Sequence, residues 1–247
     1  NPRLDLGATP ELDGAREHLI VRSPVWLDAR EVSVAEFRAS GLAISLSPGG
    51  PSDNPHETGT GIAHCTYTSG AGPNDSLPVN CISWSLAKKF CESRGGRLPT
   101  EAELEAAGSA LGRSAYVWGA DAPECGDAVF QRSEPTDLCA TDGTGPLPSG
   151  SGARDRLALP TGEVVDLAGN VREWTLDRWN REDEPCWSAP ILQDPRCETP
   201  SVVDGDARVT RGGHFDDVPA LLQASVRSWL ANEEQAVSAL IGVRCAR

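Results

Sequence analysis

The chain has 247 residues, with 36 Asp plus Glu against 22 Lys plus Arg, and a formal net charge of −14. That balance repels a phosphate backbone, so nucleic acid is not an expected partner. Hydrophobic residues make up 39% of the chain, enough for a packed core, and no run approaches the roughly 18 to 20 apolar residues of a membrane span.

In chain order, His18 to Leu27 alternates as strand and turn do. Ser33 and Glu36 form a capping-box pattern that predicts a short helix from about Val34 through Phe37. Residues 46–78 are dominated by Gly, Pro, Ser, Asn and Asp and read as a long loop. Trp84, Leu86, Ala87 and Phe90 have helical spacing behind Ser83, and Gly95-Gly96 ends the helix. Thr100 and Glu103 repeat the capping box, predicting a third short helix through Leu104, Ala106 and Ala107 to Gly108. Residues 121–163 and 180–206 read as loops that need something other than regular structure to fix them. Val164-Val165, Val171 to Trp174, Val209, Val226 to Leu230 and Ala239 to Val243 are short apolar runs. The expectation is one α+β domain over 1–247, loop-rich, with no linker and no repeat.

The chain has eight cysteines without a CxxC pair, and four histidines, His18, His56, His64 and His214, so zinc-finger spacings are absent. Such a count reads as disulfides, which persist in oxidising compartments, and the expected location is secreted, periplasmic or cell-surface. Cys65–Cys81, Cys125–Cys139 and Cys186–Cys197 are the pairings expected from proximity, although other connectivities are open. The chain has no Met and opens on Asn1-Pro2-Arg3, as expected after removal of an export leader, which can carry a lipid anchor.

Three constellations could carry chemistry. Ser85 and Lys88 match the SxxK pattern of acyl-enzymes, but its partner motifs SDN and KTG are missing, and a helix surface explains it better. His214, Asp216 and Asp217 place an imidazole beside two carboxylates, suited to a metal or to proton transfer, or else to a polar surface loop. Asp166 to Glu173 has carboxylates at both ends of a tight turn through Gly169 and Asn170. Its oxygens suit calcium, and the alternative is a hairpin turn with exposed acids.

Taken in order, PVNCISW at 78–84, GRLPTEAE at 96–103, YVWG at 116–119, DLAGNVREW at 166–174, RVTRGG at 208–213 and GVRCA at 242–246 form a series. It resembles the formylglycine-generating enzyme (sulfatase-modifying factor) superfamily over nearly the whole chain. The resemblance implies a C-type-lectin-like fold of the formylglycine-generating-enzyme type. It also implies a Cys91–Cys245 bridge and a calcium ion held by the Asp166 and Glu173 carboxylates and the Gly169 and Val171 carbonyls. The family's second calcium site does not map, because its side-chain ligand falls at Ala128.

The sequence departs from the family where the chemistry lies. In the enzyme, two cysteines shortly after Arg-Gly-Gly bind Cu(I) and support oxidation of a substrate cysteine by O₂. Here no cysteine occurs between Cys197 and Cys245, and Asp217 and Leu222 stand near those positions. Neither offers a soft sulfur to Cu(I), so no copper is expected. Leu104 also replaces a usual aromatic, and His214 a usual small hydroxyl residue.

The function expected is that of an exported, calcium-binding, non-catalytic module that binds another protein or a surface glycan, as a free receptor or as a subunit of an extracellular assembly. The alternative is a metal-dependent oxidoreductase with an altered site at His214, Asp216 and Asp217. Trp84, Trp118 and Trp174 fall in the family motifs and are expected in the core. Trp187 and Trp229 are the candidate contact residues on the loop face beyond Arg211.

Overall fold

Local caps build the helices. The structure is a computed structural model describing residues 3–4, 11–12, 17–21, 23–42, 64–189, 191–231 and 238–247. Ser33 accepts from the Glu36 amide while Glu36 reaches back to the Ser33 amide, starting α1 (Val34–Ala39). Ser83 accepts from the Leu86 amide at the start of α2 (Trp84–Ser93), which ends before the left-handed Gly95. Thr100 and Glu103 form the same reciprocal box ahead of α3 (Glu101–Gly108). Residues 46–63 of the expected first loop, and His56 with them, lie outside the described residues.

Among the described residues, four small sheets complete the fold. β1 (Arg3–Leu4) pairs with β4 (Val25–Trp26), and β3 (Glu17–Val21) lies between β2 (Glu11–Leu12) and β8 (Ile191–Gln193). β5 (Arg156–Leu159) and β6 (Gly162–Val165) form a hairpin. The largest sheet joins β7 (Arg172–Arg178), β9 (Ala207–Arg211), β10 (Ser228–Ala231) and β11 (Ile241–Gly242) in the order β10-β9-β7-β11, with β11 parallel to β7. Strands β5 and β8 fall inside stretches read as loop. They are only four and three residues long, too short for a periodic signal amid turn-forming residues.

The main core packs α1 and α2 against this sheet through Val32, Phe37, Phe90, Leu98, Trp174 and Val243, and the Phe37 and Phe90 rings stack at 5.3 Å. A second core gathers Leu104, Ala107, Leu157, Val164 and Leu167 under α3. The C-terminal segment threads between both, bridging Ala246 to Leu27 and to Arg97. Among the described residues no helix is long and apolar enough to cross a membrane.

The bridges are Cys65–Cys81, Cys91–Cys245, Cys125–Cys139 and Cys186–Cys197. Cys91–Cys245 spans a sequence separation of 154 and Cys186–Cys197 one of 11. On the chain-entropy model these contribute about 5 and about 3 kcal/mol. Replacing Cys91 and Cys245 by Ala is expected to lower the melting midpoint by about 10–20 °C, and replacing Cys186 and Cys197 by distinctly less, as read by calorimetry.

Candidate functional site

The turn from Asp166 to Glu173 is buried. Asp166 and Asn170 adopt left-handed φ of 56° and 67°, which Asp and Asn tolerate best after Gly. A Cβ on Gly169 would meet the Val129 carbonyl at 2.7 Å, so glycine is required there. Asn170 Nδ2 donates to Glu31 Oε2 at 2.7 Å and to the Leu147 carbonyl, and the Val171 amide donates to Glu31 Oε1. Arg244, fully buried, donates to Glu173 Oε1 at 2.8 Å and to the carbonyls of Asp28, Val165 and Asp166.

The reading of this turn as exposed acids is therefore overturned, since Asp166 and Glu173 are 2% and 3% exposed. Burial pushes both carboxyl groups up, against the Arg244 charge. Glu31, Asp155, Asp166 and Glu173, all buried, lie around the buried guanidinium of Arg244. An excess of buried anionic oxygen of this kind fits a hard cation. Among the described residues no three His, Cys, Asp or Glu side chains group to hold a metal, so such an ion would draw on backbone carbonyls as well.

The Arg-Gly-Gly turn is set by sterics and charge. A Cβ on Gly213 would lie 2.2 Å from Leu222 Cδ2, and Gly212 has φ 78°. Arg211 donates to the carbonyls of Ala224 and Val226, lies 2.9 Å from Glu101 and pairs with Glu105. Arg227 forks onto the same Glu101 at 2.5 and 2.9 Å. Burial alone would raise the Glu101 carboxyl, but Arg211 and Arg227 hold it below its ordinary range. Asp177 beside it pairs with no arginine among the described residues, and burial with Glu101 pushes it up to about 7.

His214 is buried rather than part of an open polar loop. Burial and Arg172 push it down to about 3, so it is neutral at neutral pH. Its Nδ1 accepts from the Asp216 amide, and its Nε2 lies 3.3 Å from Asp217 Oδ1. With the imidazole uncharged, the latter contact is not an ion pair. Asp217 also accepts from Arg172 Nη2 and from the His214 amide; burial nevertheless pushes it up to about 6. Asp216 bonds Ser133, and Leu222 is buried against Tyr116, Phe130 and Ala168. His64, remote in sequence, sits with its ring 5.2 Å from Phe215, a placement that no local signal marked.

Trp187 corrects an expectation. It is 9% exposed, its Nε1 donates to the Asn180 carbonyl, and Arg227 packs 5.4 Å from its ring, so it is not a contact residue. Trp229 is 44% exposed, with its ring 6.3 Å from Trp179. Arg227 lies 4.5 Å over Trp179, whose Nε1 donates to Asp204. Trp179, Arg181, Glu182, Asp183, Ser225 and Arg227 line an open groove of about 490 Å³. Its walls are already pinned, by Glu101 at Arg227 and by Asp204 at Trp179 and Arg181.

The raised Asp177 carboxyl has a measurable consequence. Its contribution to stability is complete below the unfolded value near 4 and is lost as pH rises through about 7. Carbon-13 NMR of the Asp177 carboxyl is expected to show a midpoint near 7, and a midpoint near 4 would contradict the burial argument.

The sulfatase-modifying factor enzyme 1-like domain model matches residues 5–247. The formylglycine-generating enzyme of Thermomonospora curvata is 34% identical over 155 residues, 58% of this chain and 48% of that protein. The inactive C-alpha-formylglycine-generating enzyme 2 of Bos taurus is 30% identical over 186 residues, 72% of this chain and 53% of that protein. This chain thus spans about half the length of these relatives. The structure of PvdO from Pseudomonas aeruginosa superposes with a TM-score of 0.66 at 19% identity, covering 100% of this chain and 91% of that one, a likeness of fold. The four disulfides, the low helical content and the loop-rich sheets agree with that fold, and the chain belongs to the sulfatase-modifying factor enzyme 1-like family.

Proposed function

We propose that this protein is a non-catalytic, extracytoplasmic binding module that recognises another protein or a surface glycan through the Trp179–Arg227 groove and the exposed Trp229. The carrying observation is what stands near the two copper-ligand positions. Asp217 is closed off by Arg172 and His214, and Leu222 is buried in an apolar cluster. The chain then runs on to Ser225 and Arg227, which line an open groove with an aromatic and arginine wall, the composition favoured at recognition sites. The four disulfides support an oxidising compartment. An altered oxidoreductase at His214 is the weaker reading, since the imidazole is buried, with Nδ1 accepting from the Asp216 amide and Nε2 in contact with Asp217.

Crosslinking in native cells followed by mass spectrometry tests this reading. A stoichiometric partner crosslinked at the 179–183 or 225–229 segments is expected, and a solitary chain carrying a transition metal would sink the proposal. With that partner in hand, Trp229→Ala should weaken binding by about tenfold or more while shifting stability by no more than about 0.5 kcal/mol.

The calcium seat at Asp166, Gly169, Val171 and Glu173 is part of the same proposal, as a brace for the scaffold. Calcium is expected to raise the melting midpoint, a chelator to reverse this, and Asp166→Asn to abolish the response. Identical melts with and without calcium would remove the ion from the account.

A further inference from the structure

Arg208 has a free binding edge. It stands in the middle of β9, is 8% exposed, and lies with its guanidinium carbon 3.7 Å over the Trp84 ring. Its Nη1 donates to the Leu176 carbonyl at 3.0 Å, and among the described residues no hydrogen bond uses Nε or Nη2. Those two nitrogens form the side-on fork with which arginine grips a carboxylate or phosphate through two parallel bonds. Arg227 uses the same pair of atoms on Glu101. Among the described residues Arg208 forms no ion pair, and Asp206 and Asp177 act on it only at longer range.

A second buried polar atom lies beside it. Thr210 follows two residues along β9 and so shares its face; the residue is 1% exposed and its Oγ1 has no partner among the described residues. Buried polar groups are nearly always satisfied, and orphans of this kind mark a water or an ion.

Further positive charge gathers there. Arg178 on β7 sits directly opposite Arg208 in the sheet register. The Arg178 amide donates to the Cys197 carbonyl, which brings Arg196 alongside. Arg178 pairs with Asp206 and Arg196 with Glu198, but those carboxylate side chains are 46% and 69% exposed, and such pairs are weak. Three arginines thus converge in a chain of net charge −14.

We propose that the Nε–Nη2 fork of Arg208, with the Thr210 hydroxyl and the Arg178 and Arg196 charges around it, binds a small oxyanion: sulfate, phosphate or a single carboxylate. The strong negative charge of the whole protein repels polyanions and leaves a compact, singly presented anion as the ligand. The site is separate from the groove: Trp229 pairs with Val209 and so faces the opposite side of β9 from Arg208. It stands or falls independently of the proposed recognition role.

The test is a titration of the whole protein with sodium sulfate, sodium phosphate and a hexuronic acid, each against sodium chloride at equal ionic strength. Side-chain nitrogen-15 NMR and melting are the readouts. A saturable shift of the Arg208 Nε–H signal with a rise in melting midpoint is expected for at least one anion. Preference for an inorganic ion or for the sugar acid then identifies how the oxyanion is presented. Arg178→Gln with Arg196→Gln, at more exposed positions, should weaken binding by about tenfold. Arg208→Lys keeps the charge but loses the fork and should abolish the saturable response. An anion response no different from chloride, or one that leaves the Arg208 signal unmoved or survives these substitutions, overturns the proposal.

Discussion

The fold turns on the guanidinium of Arg244. A fully buried cation is tolerable only if paired and hydrogen-bonded, and Arg244 meets both conditions with four groups from distant parts of the chain. Glu173 ties it to β7, the Asp28 carbonyl to the N-terminal side, and the Val165 and Asp166 carbonyls to the start of the Asp166–Glu173 turn. Beside it Cys245 is bridged to α2, so the C-terminal segment is fixed both covalently and electrostatically at one place. Removing Glu173 would strand the Arg244 charge in the interior.

A different network holds the Arg-Gly-Gly turn. The turn depends on Gly213 fitting against Leu222 and Ala168, and on Arg211 reaching Glu101, Glu105 and two carbonyls. None of those interactions needs a thiol at 217 or 222. A carboxylate locked by Arg172 and a leucine in the apolar interior fill these positions without disturbing the turn. The Glu101 carboxylate then serves twice, since it also clamps Arg227 and so shapes the wall of the groove.

The arginines divide the β9–β10 pair into two unlike faces. On one, Arg227 is neutralised by Glu101 and sandwiched near Trp179 and Trp187, leaving a stiff, largely neutral wall. On the other, Arg208 rests on Trp84 with its fork unused and two more arginines nearby. Strand alternation keeps the two apart within a single sheet.

Helix starts and the order of motifs were legible in the sequence because they depend on neighbours a few residues away. Ser33 with Glu36 and Thr100 with Glu103 place α1 and α3 by contacts three residues apart, and Gly169 and Gly213 announce turns that a side chain would obstruct. Family membership was readable for a similar reason, as an ordered series of such local patterns. Burial and convergence were not, because they depend on segments that meet only after folding. Trp187 looked like an exposed contact and is sealed under Arg227; His214 looked like an open polar residue and is neutral and enclosed. His64 reaches Phe215 across more than half the chain, and Arg178, Arg196 and Arg208 gather only through strand register and the Cys186–Cys197 loop. The sequence determined which local pieces form and in what order. Tertiary packing decided which charges lose water and which keep a free edge, because desolvation belongs to the assembled interior and not to any one segment.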